Sequence, residues 1–392
     1  MTRRRATRLG LVATSQTLAV KAEADRLRAE GVDVIDFGPG EPDMPSPAAV
    51  NRAGIAAIES EFTHYTAAAG IPELRRALAR HYAGLCGRDI EAAEVLVGVG
   101  GKSVLFAAMM ALINPGDDVV IFSPYWVSFP EQVRLAGGHP LIVPLDPADG
   151  FTLRADALAA ALTPATRAVI VNSPGNPSGG ILPPEEARRL AELVVEHDLW
   201  LISDETYESF LYDPDDAFSM LSLRDLLGER LIFVSAFSKS WAMTGWRVGY
   251  AIAEPAVIKS LLTIQSHDTT HTCSISQRAA LAALEGAADA PAQTLMLYRA
   301  RRELLIEGLR EIPGVVCPLP RGAFYAFPDV RALANAKGLA SSAELSRALI
   351  SEVAVATVPG EAFGTPGHIR LSYATSEENI REGLSRLRRF AR

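Results

Sequence analysis

The sequence predicts an α/β protein: a large domain with a mostly parallel seven-stranded sheet covered by helices, plus a smaller α+β domain. Three observations predict it. At 392 residues the chain exceeds one ordinary core. Between residues 94 and 254, short β-branched runs alternate with helix-period segments. After about residue 290 that alternation stops.

The strand-like runs are Val95–Val99, Val119–Phe122, Leu141–Val143, Ala168–Val171, Trp200–Ser203, Leu231–Val234 and Val248–Ala251. They read as continuous apolar stretches, as strands covered on both faces must. Between them lie amphipathic segments such as 184–197, and the uncharged run Val104–Ile113 reads as a core helix too short to span a bilayer. Strand–helix alternation of this kind gives a parallel sheet whose ligand lies beyond the carboxyl ends of the strands. Beyond residue 290 come a polar helix over 292–310, strand candidates near Val315 and Phe324, further strands at Ala354–Val358 and Ile369–Tyr373, and a closing helix. The first 47 residues hold a helix and the strand Val32–Phe37 and are expected to pack with that part. The division is therefore 48–290 for the large domain and 1–47 with 291–392 for the small one.

The composition, 48% hydrophobic and 21% charged, fits a filled core and excludes a disordered chain. A net charge of −8 argues against a nucleic-acid partner. Arg3-Arg4-Arg5 reads as a solvated tail, and the apolar stretch Leu9–Ala13 behind it is too short for an export signal. Three widely spaced cysteines, Cys86, Cys273 and Cys317, suit a reducing, cytoplasmic setting with no membrane association.

Four segments carry chemistry. Gly98-Val99-Gly100-Gly101-Lys102-Ser103 stands between a strand and a helix, where exposed N–H groups and the helix dipole attract an anion. An ATP-binding P-loop would need glycine at Leu96, and the dinucleotide fingerprint would need glycine at Ser103, so neither applies. Asn172-Ser173-Pro174-Gly175-Asn176-Pro177-Ser178-Gly179 builds a rigid loop at a strand end. In Ser203-Asp204-Glu205-Thr206-Tyr207 an acid follows Leu201-Ile202, and its burial is costly without a cationic partner. Ser238-Lys239-Ser240 sets a lysine among small and apolar residues, with Arg247 eight residues on to clamp a phosphate. A desolvated lysine beside positive charge becomes a nucleophile that forms Schiff bases. A phosphate cup, a carboxylate for a pyridinium nitrogen, donors for a ring oxygen and such a lysine are what pyridoxal phosphate chemistry needs.

With Gly40-Glu41-Pro42-Asp43, Tyr65, Ser123-Pro124-Tyr125-Trp126, Asn176-Pro177, Asp204-Glu205-Thr206-Tyr207, Ser238-Lys239, Ala242-Met243-Thr244-Gly245-Trp246-Arg247 and Arg370-Leu371-Ser372-Tyr373-Ala374, the chain resembles the class I, fold-type I aminotransferases, in the bacterial aspartate/prephenate subgroup. Gly175 and Ser178 stand where Asn and Thr are more usual, and both forms occur in the family. The resemblance implies pyridoxal phosphate on Lys239, which also shuttles protons. It puts Asp204 on the pyridine nitrogen, Tyr207 and Asn176 on the ring oxygen, and Trp126 stacked on the ring. Gly100, Gly101, Lys102, Ser238 and Arg247 would hold the phosphate, joined by Tyr65 of a second subunit in a homodimer with shared sites. Arg370, with the Gly40 backbone beside it, would take the substrate α-carboxylate. Lys102 would read the distal carboxylate of an acidic L-amino acid that exchanges its amino group with a 2-oxo acid. Another reaction of the same cofactor (β-lyase, decarboxylase or cyclising synthase) and a non-catalytic regulator remain alternatives.

Some side features point elsewhere. Thr270-His271-Thr272-Cys273 departs from the usual pattern and is expected at the entrance to the site. His267 and His271 have the i, i+4 spacing of a zinc helix, but threonines fill the middle and no third ligand follows, so no metal is expected. Trp246 and Phe237 read as core aromatics.

Overall fold

The computed structural model describes residues 6–14 and 16–392; Arg3-Arg4-Arg5 lies outside them. A helix, Gln16–Ala29, leads to a two-residue strand, β1 (Ile35–Asp36). The seven apolar runs all form strands, with no bound shifted by more than two residues: β2 (Val95–Gly98), β3 (Asp118–Ser123), β4 (His139–Pro144), β5 (Thr166–Asn172), β6 (Trp200–Asp204), β7 (Leu231–Ala236) and β8 (Gly249–Ile252). They make one sheet in the order β2-β8-β7-β6-β5-β3-β4.

All neighbours in it run parallel except at β8, which is antiparallel to both β2 and β7. The two reversals cancel. Every strand but β8 therefore ends on one edge, and β8 begins there. Gly98, Ser123, Asn172, Asp204, Ala236 and Gly249 are thus brought to one rim by topology alone.

Successive side chains of a strand point to opposite faces, and here they fill two separate cores. Val95, Val97, Val120, Val169, Val171 and Phe233 belong to one. Leu96, Val119, Ile121, Ile170, Ile232 and Val234 belong to the other. Helices close both. Pro184–Glu196 buries Ala187, Leu190, Ala191 and Val194 at helical spacing, with Pro184 and two glutamates in its first turn.

The helix Ala290–Arg310 leads into the remaining strands: β9 (Tyr325–Ala326), β10 (Val355–Ala356), β11 (Val358–Pro359) and β12 (Ile369–Ser372). β11, β12 and β9 form an antiparallel sheet, while β1 pairs with β10 in parallel. Ile35 and Phe37 share a core with Leu371, Ile380 and Leu384, so the N-terminal segment packs on C-terminal elements. The fit is close: a Cβ on Gly383 would lie 2.4 Å from the Phe37 ring.

Three expectations are corrected. The single strand at 354–358 is two short strands on different sheets, because the chain changes partner at Thr357. The Val315 candidate makes only an isolated bridge, Val316 with Asp329. His267 and His271, at which no metal is expected, do not share a helical face: the helix Pro255–Asp268 ends first, and Thr270 is left-handed at φ 62°. Trp241 joins Phe237 in the core, while Trp246 is half-buried and donates to Ser46. No helix among the described residues is long and apolar enough to cross a membrane.

Candidate active site

Beyond the common strand edge lies a cavity of about 460 Å³, lined by Gly101, Lys102, Trp126, Asn176, Asp204, Tyr207, Ser238, Lys239, Arg247 and Arg370. At one end the helix Gly100–Leu112 begins without a capping side chain. Its first N–H groups therefore have no partner of their own. Gly100 adopts φ 77°, and a Cβ there would lie 2.6 Å from Nη2 of Arg247. A Cβ on Gly249 would lie 2.3 Å from the Gly101 nitrogen. Only glycine lets β8 and the arginine close on this helix start. Arg247, itself left-handed at φ 56°, bonds the Thr244 carbonyl at 2.9 Å and is otherwise exposed. The result is a helix N-terminus and a guanidinium facing one space, an arrangement made for a phosphate-sized anion.

Asp204 closes β6 and is almost fully buried. Its two hydrogen bonds, from Thr206 N at 3.1 Å and Thr206 Oγ1 at 2.6 Å, both fall on Oδ1. Oδ2 has no donor among the described residues. Burial raises the Asp204 pKa, with the Thr206 bonds and the nearby Lys239 opposing. A carboxylate so placed calls for a cation in the cavity.

Lys239 follows β7 on a single helical turn, Phe237–Ser240, and its Nζ donates to the Gly40 carbonyl. Its pKa is lowered to about 8, chiefly by burial, with Arg370 and Arg247 pushing the same way and Glu41 opposing.

Arg370, on β12, is 3% exposed and has no carboxylate within ion-pair distance among the described residues. Nη1 donates to Asn176 Oδ1 at 3.0 Å and Nη2 to the Gly38 carbonyl at 2.6 Å, while Nε has no partner. The guanidinium lies 4.6 Å from the Tyr325 ring centre and 5.1 Å from that of Phe363. Asn176 Nδ2 in turn donates to Tyr207 Oη at 3.2 Å. A buried guanidinium with only neutral partners is a receptor for an anion.

The Lys102 Nζ lies over the Trp126 ring, 4.9 Å from its centre, and burial together with the Arg247 charge lowers its pKa. Trp126 is braced edge-on by Phe129.

A family model for class I and II aminotransferases matches residues 32–387. The chain belongs to that family. It is 41% identical over 393 residues to an aspartate aminotransferase of Streptomyces avermitilis, covering 99% of this chain and 96% of that one. It is 40% identical over 388 residues to an aspartate/prephenate aminotransferase of Cereibacter sphaeroides, covering 97% of each. Of solved structures, the Thermus thermophilus aspartate aminotransferase with maleate is similar at TM-score 0.92 and 41% identity, over 99% of this chain and 100% of that one. The Rhizobium meliloti aspartate aminotransferase is similar at TM-score 0.93 and 37% identity, over 100% of this chain and 99% of that one.

Within one chain of this aminotransferase, the site residues expected from sequence line the cavity except Tyr65 and Gly100, which adjoins Gly101 at the helix start. Tyr65 is 89% exposed and meets His271 edge-on at the surface. Thr270-His271-Thr272-Cys273 lies beside it, not at the cavity mouth: His271 contacts Thr66 and the Thr272 carbonyl. The sequence reading missed Thr206, Thr244 and Tyr325, and Lys21 of the N-terminal helix, all on the cavity wall. Thr206 had a signal, two residues after an acid at a strand end; Tyr325 and Lys21 arrive only through packing between distant segments.

The lowered Lys239 pKa has a direct consequence. An amine attacks only when neutral, so acylation of Lys239 in the ligand-free protein should rise with pH to a midpoint near 8 and then level off. Glu41 holds the proton on, so Glu41→Gln should move that midpoint lower. Mass-spectrometric site occupancy after short exposure to an acylating reagent reads both. A rate still climbing at about pH 10, as for a surface lysine, contradicts the burial argument.

Proposed function

We propose that this aminotransferase works with pyridoxal phosphate on Lys239 and prefers an acidic L-amino acid. The observation that carries the cofactor reading is the chemistry of three groups on one cavity: Asp204 and Arg370, both buried with no ion-pair partner among the described residues, and Lys239 with its pKa near 8. A pyridinium nitrogen supplies what Asp204 lacks, and an amino-acid carboxylate supplies what Arg370 lacks. The uncapped helix start at Gly100, Gly101 and Lys102, with Ser238 and Arg247, suits the phosphate. Trp126 covers one face of the ring, and Tyr207 and Asn176 serve its oxygen.

When bound, pyridoxal phosphate supplies an aldehyde that exchanges amines and a conjugated ring that takes up an electron pair from the substrate's Cα. The protein residues do the rest. Arg370 anchors the α-carboxylate, its own position fixed by the Gly38 carbonyl and Asn176. Asp204 keeps the ring nitrogen protonated. Lys239, its pKa brought down to about 8 by burial, takes the Cα proton in its neutral form and returns it elsewhere. Gly40 accepts from the lysine Nζ and orients it.

Arg370 grips a group that all amino acids share, so selectivity needs a second cation, and Lys102 supplies it above Trp126. A lysine is a compact charge suited to a distal carboxylate. Relatives named aspartate or aspartate/prephenate aminotransferase support this choice, as does the related structure that holds maleate, a dicarboxylate. A charged hydrogen bond is worth about 1.5–3 kcal/mol, so Lys102→Ala should cut kcat/KM for aspartate about ten- to a hundredfold. The loss for alanine or phenylalanine should be much smaller. Equal losses for acidic and neutral substrates would assign Lys102 to the cofactor and remove the case for an acidic substrate. Three unbridged cysteines support a reducing, cytoplasmic setting.

The exposed Tyr65, with Ile55 and Ile58 also exposed, supports a homodimer in which Tyr65 reaches the phosphate of the partner's site. In that case Tyr65→Phe and Lys239→Ala lie in different subunits' contributions to one site. Mixing the two variants should restore partial activity by forming one intact site per heterodimer. A fully active monomer on sedimentation, or no recovery on mixing, contradicts shared sites.

A further inference from the structure

We infer that Tyr325 is a positioning residue: its buried hydroxyl donates to Tyr207 and thereby aims the Tyr207 proton into the cavity. This rests on the reading above in which Tyr207 serves the ring oxygen of pyridoxal phosphate, and it names the group that sets Tyr207 for the task.

The two phenol oxygens lie 2.8 Å apart, and hydroxyl geometry alone permits either as donor. The surrounding atoms decide. Arg370 can only donate, so the Asn176 atom facing Nη1 at 3.0 Å is the carbonyl oxygen Oδ1. The amide NH₂ therefore faces Tyr207 and donates to its oxygen at 3.2 Å. That occupies one acceptor position on Tyr207. The Tyr325 hydroxyl makes no other hydrogen bond among the described residues. If Tyr207 donated to it, the Tyr207 proton would be spent on Tyr325, and Tyr207 would have none left to serve the ring oxygen. Donation from Tyr325 to Tyr207 satisfies both. Tyr207 then accepts twice from protein and has one proton left, free to point into the cavity that it lines.

Packing holds the donor still. The Arg370 guanidinium lies 4.6 Å from the Tyr325 ring centre, and the Tyr325 oxygen abuts Gly40, where a Cβ would lie 2.8 Å from it. Phe324 and Tyr207 also contact the ring. Burial pushes both phenols above their ordinary range, so both keep their protons at working pH. The charged groups around the pair are Arg370, Asp204 and Glu41, with Lys239 close to Asp204.

A hydroxyl that accepts two hydrogen bonds is a stronger donor through its own proton. Donors to the ring oxygen hold its negative charge, so the neighbouring nitrogen releases its proton at lower pH; weakening them raises that midpoint. The test is a pH titration of the visible absorption of the protein loaded with pyridoxal phosphate. Tyr207→Phe should raise the midpoint by about one to two units, the equivalent of a charged hydrogen bond. Tyr325→Phe should raise it by roughly half a unit, the share expected from lost polarisation. Tyr325→Met, which fills the space without a donor, should match it if the phenylalanine variant folds poorly.

Because Tyr325 acts through Tyr207, the double variant Tyr207→Phe/Tyr325→Phe should titrate like Tyr207→Phe alone. A shift for Tyr207→Phe with none for Tyr325→Phe or Tyr325→Met overturns the inference and leaves the reading of Tyr207 standing. A further rise in the double variant also overturns it, since Tyr325 would then act by another route. No shift for Tyr207→Phe overturns the reading of Tyr207, and the inference falls with it.

Discussion

Buried charge without a partner is the constraint on which the rest of this aminotransferase depends. Removing an ion from water costs several kcal/mol unless a counter-ion or good hydrogen bonds replace the solvent. Asp204 and Arg370 are both buried in the wall of one cavity, and neither forms an ion pair among the described residues. Elsewhere the fold handles burial differently: Arg224, equally buried, pairs with Glu94 and Glu254. The contrast separates structural charge from charge kept ready for a ligand. The same burial lowers the pKa of Lys239, so one physical cause sets the states of all three groups.

Holding such charges apart needs a rigid frame, and the frame draws on distant parts of the chain. Asp204 and Lys239 hang from adjacent strands of the large sheet, β6 and β7. Arg370 comes from a different sheet entirely. The segment 38–43 ties them together. The Gly38 carbonyl accepts from Arg370, the Gly40 carbonyl from Lys239, and Asp43 Oδ1 from Arg301 at 2.8 Å on the long helix Ala290–Arg310. Three cations thus grip six residues, which fixes the geometry between the two sheets.

Much of this was legible in the sequence because it depends on local pattern. Seven apolar runs gave seven strands, and topology then delivered Asn176, Asp204 and Lys239 to one rim with Gly100 and Arg247. The misreadings lie where local pattern is silent. Residues 354–358 look like one strand, but the chain changes partner at Thr357, and no periodicity records which strand it will pair with. Tyr325 carries no motif of its own. It matters because β9 pairs with β12, which brings it under Arg370 and against Tyr207, a contact 118 residues apart. Tyr65, legible only through family resemblance, reaches no cavity within its own chain.

Under the proposed function Lys239 is the covalent anchor, because burial inside the charged cavity brings its pKa down to about 8. Borohydride reduction of the protein loaded with pyridoxal phosphate fixes the cofactor onto the amine that holds it, and peptide mapping identifies that amine. A single labelled peptide, containing Lys239, is expected. A label on Lys102, whose Nζ also lines the cavity, or on surface Lys259 would contradict it.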